Sequence, residues 1–79
     1  MTTPIRLRIK KDIDAATEKK ILKLKGNLIT EGFTEIIHIS DEDEEHYINS
    51  FVADPHPEAL DFIAAYIIEA KLQDIVLVL

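Results

Sequence analysis

The residues best suited to chemistry are an acidic run, Asp41 to Glu45, flanked by His38 and His46. If residues 41–45 form a loop between two strands, His38 and His46 lie diagonally on one sheet face, about 8 Å apart at the Cα level. Two imidazoles and a carboxylate at that distance suit a divalent metal. A calcium-binding EF-hand fits worse, because His46 and Val52 stand where that loop needs glycine and glutamate. The alternative is a solvated hairpin tip of mutually repelling charges. The run comprises Asp41, Glu42, Asp43, Glu44 and Glu45.

Other catalytic chemistry finds little support in the sequence. Ser40 and Ser50, the two serines, stand outside any nucleophile-elbow pattern. With two glycines in 79 residues, Gly26 and Gly32, a familiar phosphate-cradling loop cannot be built. No cofactor fingerprint is present, and the absence of cysteine excludes disulfides and thiolate-bound zinc. We therefore expect a protein that is not an enzyme and has no cofactor, with His38 and His46 as weak metal candidates.

The second predicted helix carries the strongest candidate for a partner contact. On a helical wheel, Leu60, Ile63, Ala64 and Ile67 form its core stripe, and the aromatic residues fall outside that stripe. Exposed aromatic side chains rimmed by charge are typical of interface anchors, although a local pair within the helix would use them as well. The predicted partner-binding residues are the acidic run together with Glu58, Phe62, Tyr66 and Glu69.

These candidate residues lie on a chain in which the spacing of apolar residues changes repeatedly between the two-residue repeat of a strand and the repeat of a helix. Ile5, Leu7 and Ile9 alternate with basic residues, as in a strand with one buried face. A helix is predicted from Asp14 to Glu31, with an aspartate cap, an apolar stripe and Gly32 at its end. The remaining predicted elements are strands at 34–40 and 46–53, a helix after the Asp54-Pro-His-Pro57 stop, running to about Leu72, and a strand at 75–79. The apolar stripe of the first helix is Ile21, Leu22, Leu24, Leu28 and Ile29.

The order β-α-β-β-α-β predicts an α+β fold, the ferredoxin-like two-layer sandwich, spanning one domain over residues 1–79. Both helices then lie on one face of a four-stranded antiparallel sheet. The first and third strands are central, and the second and fourth are edges.

The open face of that sheet is a further candidate. Arg6 and Arg8 point away from the core, and if Tyr47 and Phe51 do the same, basic and aromatic groups lie side by side, as in single-strand nucleic-acid binders. The sequence argues against that use, because the third strand lacks the basic, glycine-containing start of the RNA-recognition motif and the net charge is −6. A solvated or self-paired face is the alternative.

Charge is distributed unevenly along the chain. Eight of its nine basic residues lie in the first 25 positions, and twelve of its fifteen acidic residues follow them. Such a dipole steers partner choice. We expect a small acidic protein-binding module that docks on a basic protein surface and resembles inhibitors such as immunity proteins, antitoxins or phage-encoded blockers. The alternatives are a dimeric ligand-sensing domain similar to ACT modules, whose glycine-rich turn after the first strand is missing here, and a metal-binding protein.

The last strand suggests self-association. Ile75 to Leu79 is apolar throughout, yet it is an edge strand without the charge or proline that usually blocks edge pairing. A homodimer through Ile75–Leu79 is therefore predicted. No apolar run is long enough for a membrane span or signal peptide, so a cytoplasmic location without membrane contact is expected.

Overall fold

The structure, a computed structural model, describes residues 3–79; Met1 and Thr2 of the predicted domain lie outside the described residues. The element order is the predicted one. The elements are β1 (Ile5–Lys10), α1 (Ala15–Thr30), β2 (His38–Asp41), β3 (His46–Phe51), α2 (His56–Glu69) and β4 (Val76–Val78).

The four strands form one antiparallel sheet in the order β2-β3-β1-β4. The central strands are β1 and β3, paired from Ile5 opposite Phe51 to Lys10 opposite His46. Both helices bury side chains against the sheet face that carries Ile5, Leu7 and Ile9. The ferredoxin-like sandwich predicted from the period switches is therefore confirmed.

Helix α1 begins and ends where its sequence signals predict. The Oδ1 of Asp14 accepts a hydrogen bond from the Thr17 amide at 2.8 Å, which satisfies one of the open N–H groups of the first turn. Gly32 adopts φ +81° just after the helix, a conformation that glycine takes at little cost. The buried stripe, Ile21, Leu24 and Leu28, is narrower than predicted. Leu22 and Ile29, assigned to it from spacing, are exposed.

The strand predicted from Thr34 begins only at His38. The amides of Phe33 and Thr34 both donate to the carbonyl of Leu28, at 3.0 and 3.3 Å, and so close the end of α1 instead of pairing with β3. The carbonyl of Phe33 accepts from the Asp54 amide at 2.9 Å. Backbone groups used in this way are not available to a sheet ladder.

Helix α2 buries Ala59, Ile63 and Ile67, whereas Ala64 of the predicted stripe is exposed and Leu60 is half-buried. Strand β4 is also shorter than predicted, although the Lys10 and Leu79 amides donate to the Ile75 and Arg6 carbonyls on either side of its ladder. Neither helix is long and apolar enough to cross a membrane, within the residues described.

Candidate functional site

The tip of the β2–β3 hairpin is organised by one acidic side chain. The Oδ1 of Asp43 accepts hydrogen bonds from the amides of Glu45 and His46, both at 2.8 Å, and lies 3.1 Å from Nδ1 of His46. These bonds hold the pKa of Asp43 below its ordinary value, and the bond from the Glu45 amide has the largest effect. An aspartate that bonds to the backbone two and three residues ahead replaces the glycine expected in a tight hairpin.

Two other acidic residues of the run form ion pairs. One pairs with a residue of β1, and the other pairs with the residue that follows β1. Nε and Nη2 of Arg8 lie 2.7 and 2.9 Å from the two carboxylate oxygens of Glu42. Nζ of Lys11 lies 3.0 Å from Oδ1 of Asp41 and 4.9 Å from the ring centroid of Tyr47. The role of the run in partner binding stays a prediction, and three of its five acidic residues already form contacts within the protein. Glu44 and Glu45 are exposed and form no ion pair with residues 3–79.

The predicted closeness of His38 and His46 is wrong. Ser40 pairs with Ile48 and not with His46, because the last ladder pair joins Asp41 to Tyr47, which leaves residues 42–46 as the connection instead of 41–45. His38 lies opposite Ser50, four positions along β3 from His46, which is about 13 Å. The potential ligands that do converge are Glu42, Asp43 and His46, whose ligand atoms lie within 4.8 Å of one another. Arg8 already holds Glu42, and Asp43 already bonds to His46, so a cation would have to displace existing contacts.

The predicted basic and aromatic sheet face is also wrong. Directly paired residues of antiparallel strands point to the same face. Phe51 pairs with Ile5, and Tyr47 pairs with Ile9, so both aromatic side chains lie on the helix-covered face. Arg6 and Arg8 instead have Ser50 and Ile48 as cross-strand neighbours. The described part of β3 therefore places no aromatic ring beside these arginines, and the stacking surface of a nucleic-acid binder is not formed.

The aromatic residues of α2 are not outside the core, as the helical wheel predicted. Phe62 and Tyr66 are half-buried and pack against the core. The ring of Phe62 lies 5.6 Å from that of Phe33 at 45°, and the Tyr66 hydroxyl donates to the carbonyl of Lys20 in α1 at 2.7 Å. Burial raises the pKa of Tyr66. The helical wheel took account only of the sheet against which α2 packs, whereas α1 and the 33–34 segment also cover one side of α2.

The surface that α2 does present combines acidic and apolar residues, and we call it the acidic helix face. Its one large apolar residue is Ile68, which is 63% exposed near the C-terminal end of the helix, and Ala64 and Ala65 are exposed on the preceding turn. Neither lysine nor arginine occurs between His56 and Glu69. The cation at the C-terminal end comes from α1, where Nζ of Lys20 donates to the carbonyl of Ala70 at 3.0 Å. The face comprises Glu58, Asp61, Ala64, Ala65, Ile68 and Glu69.

A cleft between α1 and the β2–β3 edge was not predicted. It has a volume of about 330 Å³ and is lined by β1 and β3 residues, by α1 residues and by Ile39 of the edge strand. Asn49 lies among these residues, 1% exposed, between Leu7 and Ile39 in the sheet. The sequence signal was available: Asn49 shares the two-residue alternation of Tyr47 and Phe51, so all three belong to one face.

A second, larger cleft of about 520 Å³ lies at the opposite end of β3. It is lined by the 32–36 segment, by His38, and by residues 50–52 and 54. Thr34, the buried polar residue there, already donates its hydroxyl to the carbonyl of Ile36 at 3.2 Å. Among the described residues that line this cleft, no buried side-chain nitrogen or oxygen lacks a hydrogen-bond partner.

Comparisons with known proteins support the fold alone. No family model matches the sequence, and no curated protein matches it. Among solved structures, the chain is similar to a de novo designed protein, Ferredog-Diesel, with a TM-score of 0.56 and 19% sequence identity. The alignment covers 100% of this chain and 86% of the designed protein.

Proposed function

We propose that this protein is a non-enzymatic binding module whose acidic helix face docks on a basic surface of another protein. The observation that carries the proposal is the exposure of Ile68, near the C-terminal end of α2, on a helix face whose charged side chains are all acidic. A large aliphatic side chain with small neighbours can be desolvated by a partner, while the surrounding carboxylates select the partner by charge.

The distribution of charge supports the same function. The net charge is −6, and the acidic residues are concentrated after position 25. Glu44 and Glu45 at the hairpin tip add to this field without forming ion pairs among residues 3–79. Such a field accelerates encounter with a basic partner and weakens with salt. An inhibitor that covers a nucleic-acid-binding surface in the cytoplasm is the specific form of this proposal.

Phe62 and Tyr66 have a smaller part in this proposal than the sequence suggested. Because the ring of Phe62 contacts that of Phe33 and Tyr66 bonds to α1, their replacement would disturb the fold as well as a contact with a partner. Two separate variants are therefore informative: Ile68→Ser, and a neutralised variant in which Glu58, Asp61 and Glu69 are changed to their amides. The matched control is Ile29→Ser, which removes an exposed isoleucine from α1.

The test begins with capture from lysate on immobilised wild-type protein, followed by purification of any enriched basic protein. Its affinity and association rate are then measured over a series of salt concentrations. We expect Ile68→Ser to weaken binding about tenfold or more, and the neutralised variant to slow association and flatten its salt dependence. Ile29→Ser should bind like the wild type. Equal binding by the Ile68→Ser and wild-type proteins would contradict the proposed surface.

A further inference from the structure

The cleft between α1 and the β2–β3 edge combines an apolar lining with one buried polar group. Ile9 and Ile21 are buried at its floor, while Leu22 of α1 and Ile39 of β2 are more than half exposed at its mouth. Leu22 and Ile39 remain exposed because α1 does not cover the edge strand. The cleft is therefore an opening on the helix-covered face of the sheet, away from the exposed side of α2.

Asn49 is the polar group at the inner end. Its cross-strand neighbours, Leu7 and Ile39, have apolar side chains that cannot bond to the amide. Among residues 3–79, none donates a hydrogen bond to its Oδ1. Burial without a partner is costly for an amide oxygen, and buried polar side chains are nearly always satisfied. A donor entering from the cleft would remove that cost.

The cleft also has a positively charged side chain among its lining residues. Lys25 of α1 is half-buried and lines the cleft, and no carboxylate of residues 3–79 forms an ion pair with its ammonium group. Burial lowers the pKa of Lys25, while the charge of Glu18, which lines the same cleft, raises it. Lys10 and Lys11 line the same cleft, although Lys11 is already paired with Asp41. Three lysines and one glutamate, Glu18, line the cleft, so its lining carries a positive charge on a protein whose net charge is negative.

We propose that this cleft binds a small amphipathic carboxylate that carries one N–H or O–H donor on an apolar body. The donor bonds to Oδ1 of Asn49, the apolar body covers Leu22 and Ile39, and the carboxylate pairs with Lys25. The volume of about 330 Å³ is at the lower end for ligand pockets, so the ligand is one or two rings in size or an equivalent aliphatic acid. This site is independent of the acidic helix face and requires only one copy of the chain.

The test is an NMR titration of ¹⁵N-labelled protein with three probes. Indole-3-acetate has the ring, the N–H donor and the carboxylate. Naphthalene-1-acetate lacks the donor, and 3-methylindole lacks the carboxylate. We expect indole-3-acetate to shift the signals of Asn49, Lys25 and Ile39, and to bind about tenfold more tightly than either control probe.

Variants separate the two polar contacts. Asn49→Leu should weaken indole-3-acetate about tenfold and abolish its advantage over naphthalene-1-acetate. Lys25→Gln should remove the advantage over 3-methylindole, whereas Lys23→Gln, an exposed lysine of the same helix that does not line the cleft, should change neither. These comparisons depend on ratios between probes, so a change in fold stability alone does not produce them.

Three results would overturn the proposal. One is the absence of shifts around the cleft for all probes at millimolar concentration. Another is equal affinity of the wild-type protein for the three probes, which would indicate apolar contact alone. The third is indole-3-acetate binding at the acidic helix face or elsewhere. The probe series on the wild-type protein decides the matter even if Asn49→Leu fails to fold.

Discussion

Replacing Asn49 by leucine should make the protein more stable. Asn49 is 1% exposed on a central strand, opposite Leu7 and Ile39, and its Oδ1 has no hydrogen-bond donor among residues 3–79. A buried polar group left without a partner costs about 1–3 kcal/mol. Leucine removes this cost and adds apolar burial, and its extra volume can extend into the adjoining cleft. We expect a gain of about 1–2 kcal/mol in the free energy of unfolding.

Urea denaturation followed by circular dichroism measures this gain. With the dependence on urea usual for a small domain, the midpoint should rise by about 1 M or more at an unchanged slope. Asn27→Leu is the matched control, because it makes the same chemical change at the other asparagine, a half-buried position in α1. Its effect should not exceed about 0.5 kcal/mol, the difference in helix propensity between the two residues.

A loss of stability in Asn49→Leu, with the control unchanged, would refute the reasoning. It would mean that the amide of Asn49 makes a favourable interaction, for instance through an ordered water, that outweighs its desolvation. A gain in stability together with a loss of probe discrimination would instead connect the two properties. The asparagine would then reduce stability in exchange for a binding function.

Two further predictions concern the ends of the helices, and a third concerns the exposed edge strand β4. Hydrogen bonds from Thr17, its side chain first and its amide second, hold the pKa of Asp14 below the ordinary 3.8, so the stability that these bonds provide is present above about pH 4 and lost as the pH falls through the lowered pKa. Asp14→Asn keeps a capping side chain without titrating, and its thermal stability should match the wild type at pH 7 but fall less steeply below pH 4. Lys71, at φ +59° after α2, should be replaceable by glycine with a gain of about 0.5–1 kcal/mol in urea denaturation, and a loss would show that its side chain matters more than backbone strain. Leu77 pairs with Arg8 and points away from the helices, so Leu77→Lys should convert the predicted homodimer into a folded monomer by light scattering; a wild-type chain that stays monomeric at high micromolar concentration would remove the dimer.

The fold was predictable because its local signals agree with one another. The alternation of Ile5, Leu7 and Ile9 indicates a strand, and Asp14 and Gly32 mark the ends of a helix, each by local chemistry. A chain whose elements alternate as β-α-β-β-α-β has few packing solutions with right-handed crossovers. Agreement of local and global preferences is what makes such a prediction reliable.

Which helix residues are buried was less predictable than the fold, because a helical wheel shows only where apolar residues recur within that helix. In α2, Phe62 and Tyr66 are covered from the side by Phe33 and by α1, which no periodicity within the helix can reveal. The same limit applies to Leu22, which the wheel placed in the core. It lies instead at the mouth of the cleft, because the edge strand beyond it extends past the helix.

The cleft beside Asn49 could not be predicted from the sequence of β3 alone, because that sequence does not determine which of its side chains face the helices. The sequence His46-Tyr-Ile-Asn-Ser-Phe51 has apolar residues at both parities, so its alternation permits either face to be the inner one. Pairing with β1 decides the matter, because Phe51 lies opposite Ile5 and must share its buried face. Ile48 then turns outward, where it is nevertheless buried between Arg8 and Ser40 as cross-strand neighbours. The same choice of parity moves Asn49 from the open sheet face, where its amide would be solvated, to a cleft where its Oδ1 has no hydrogen-bond donor among residues 3–79.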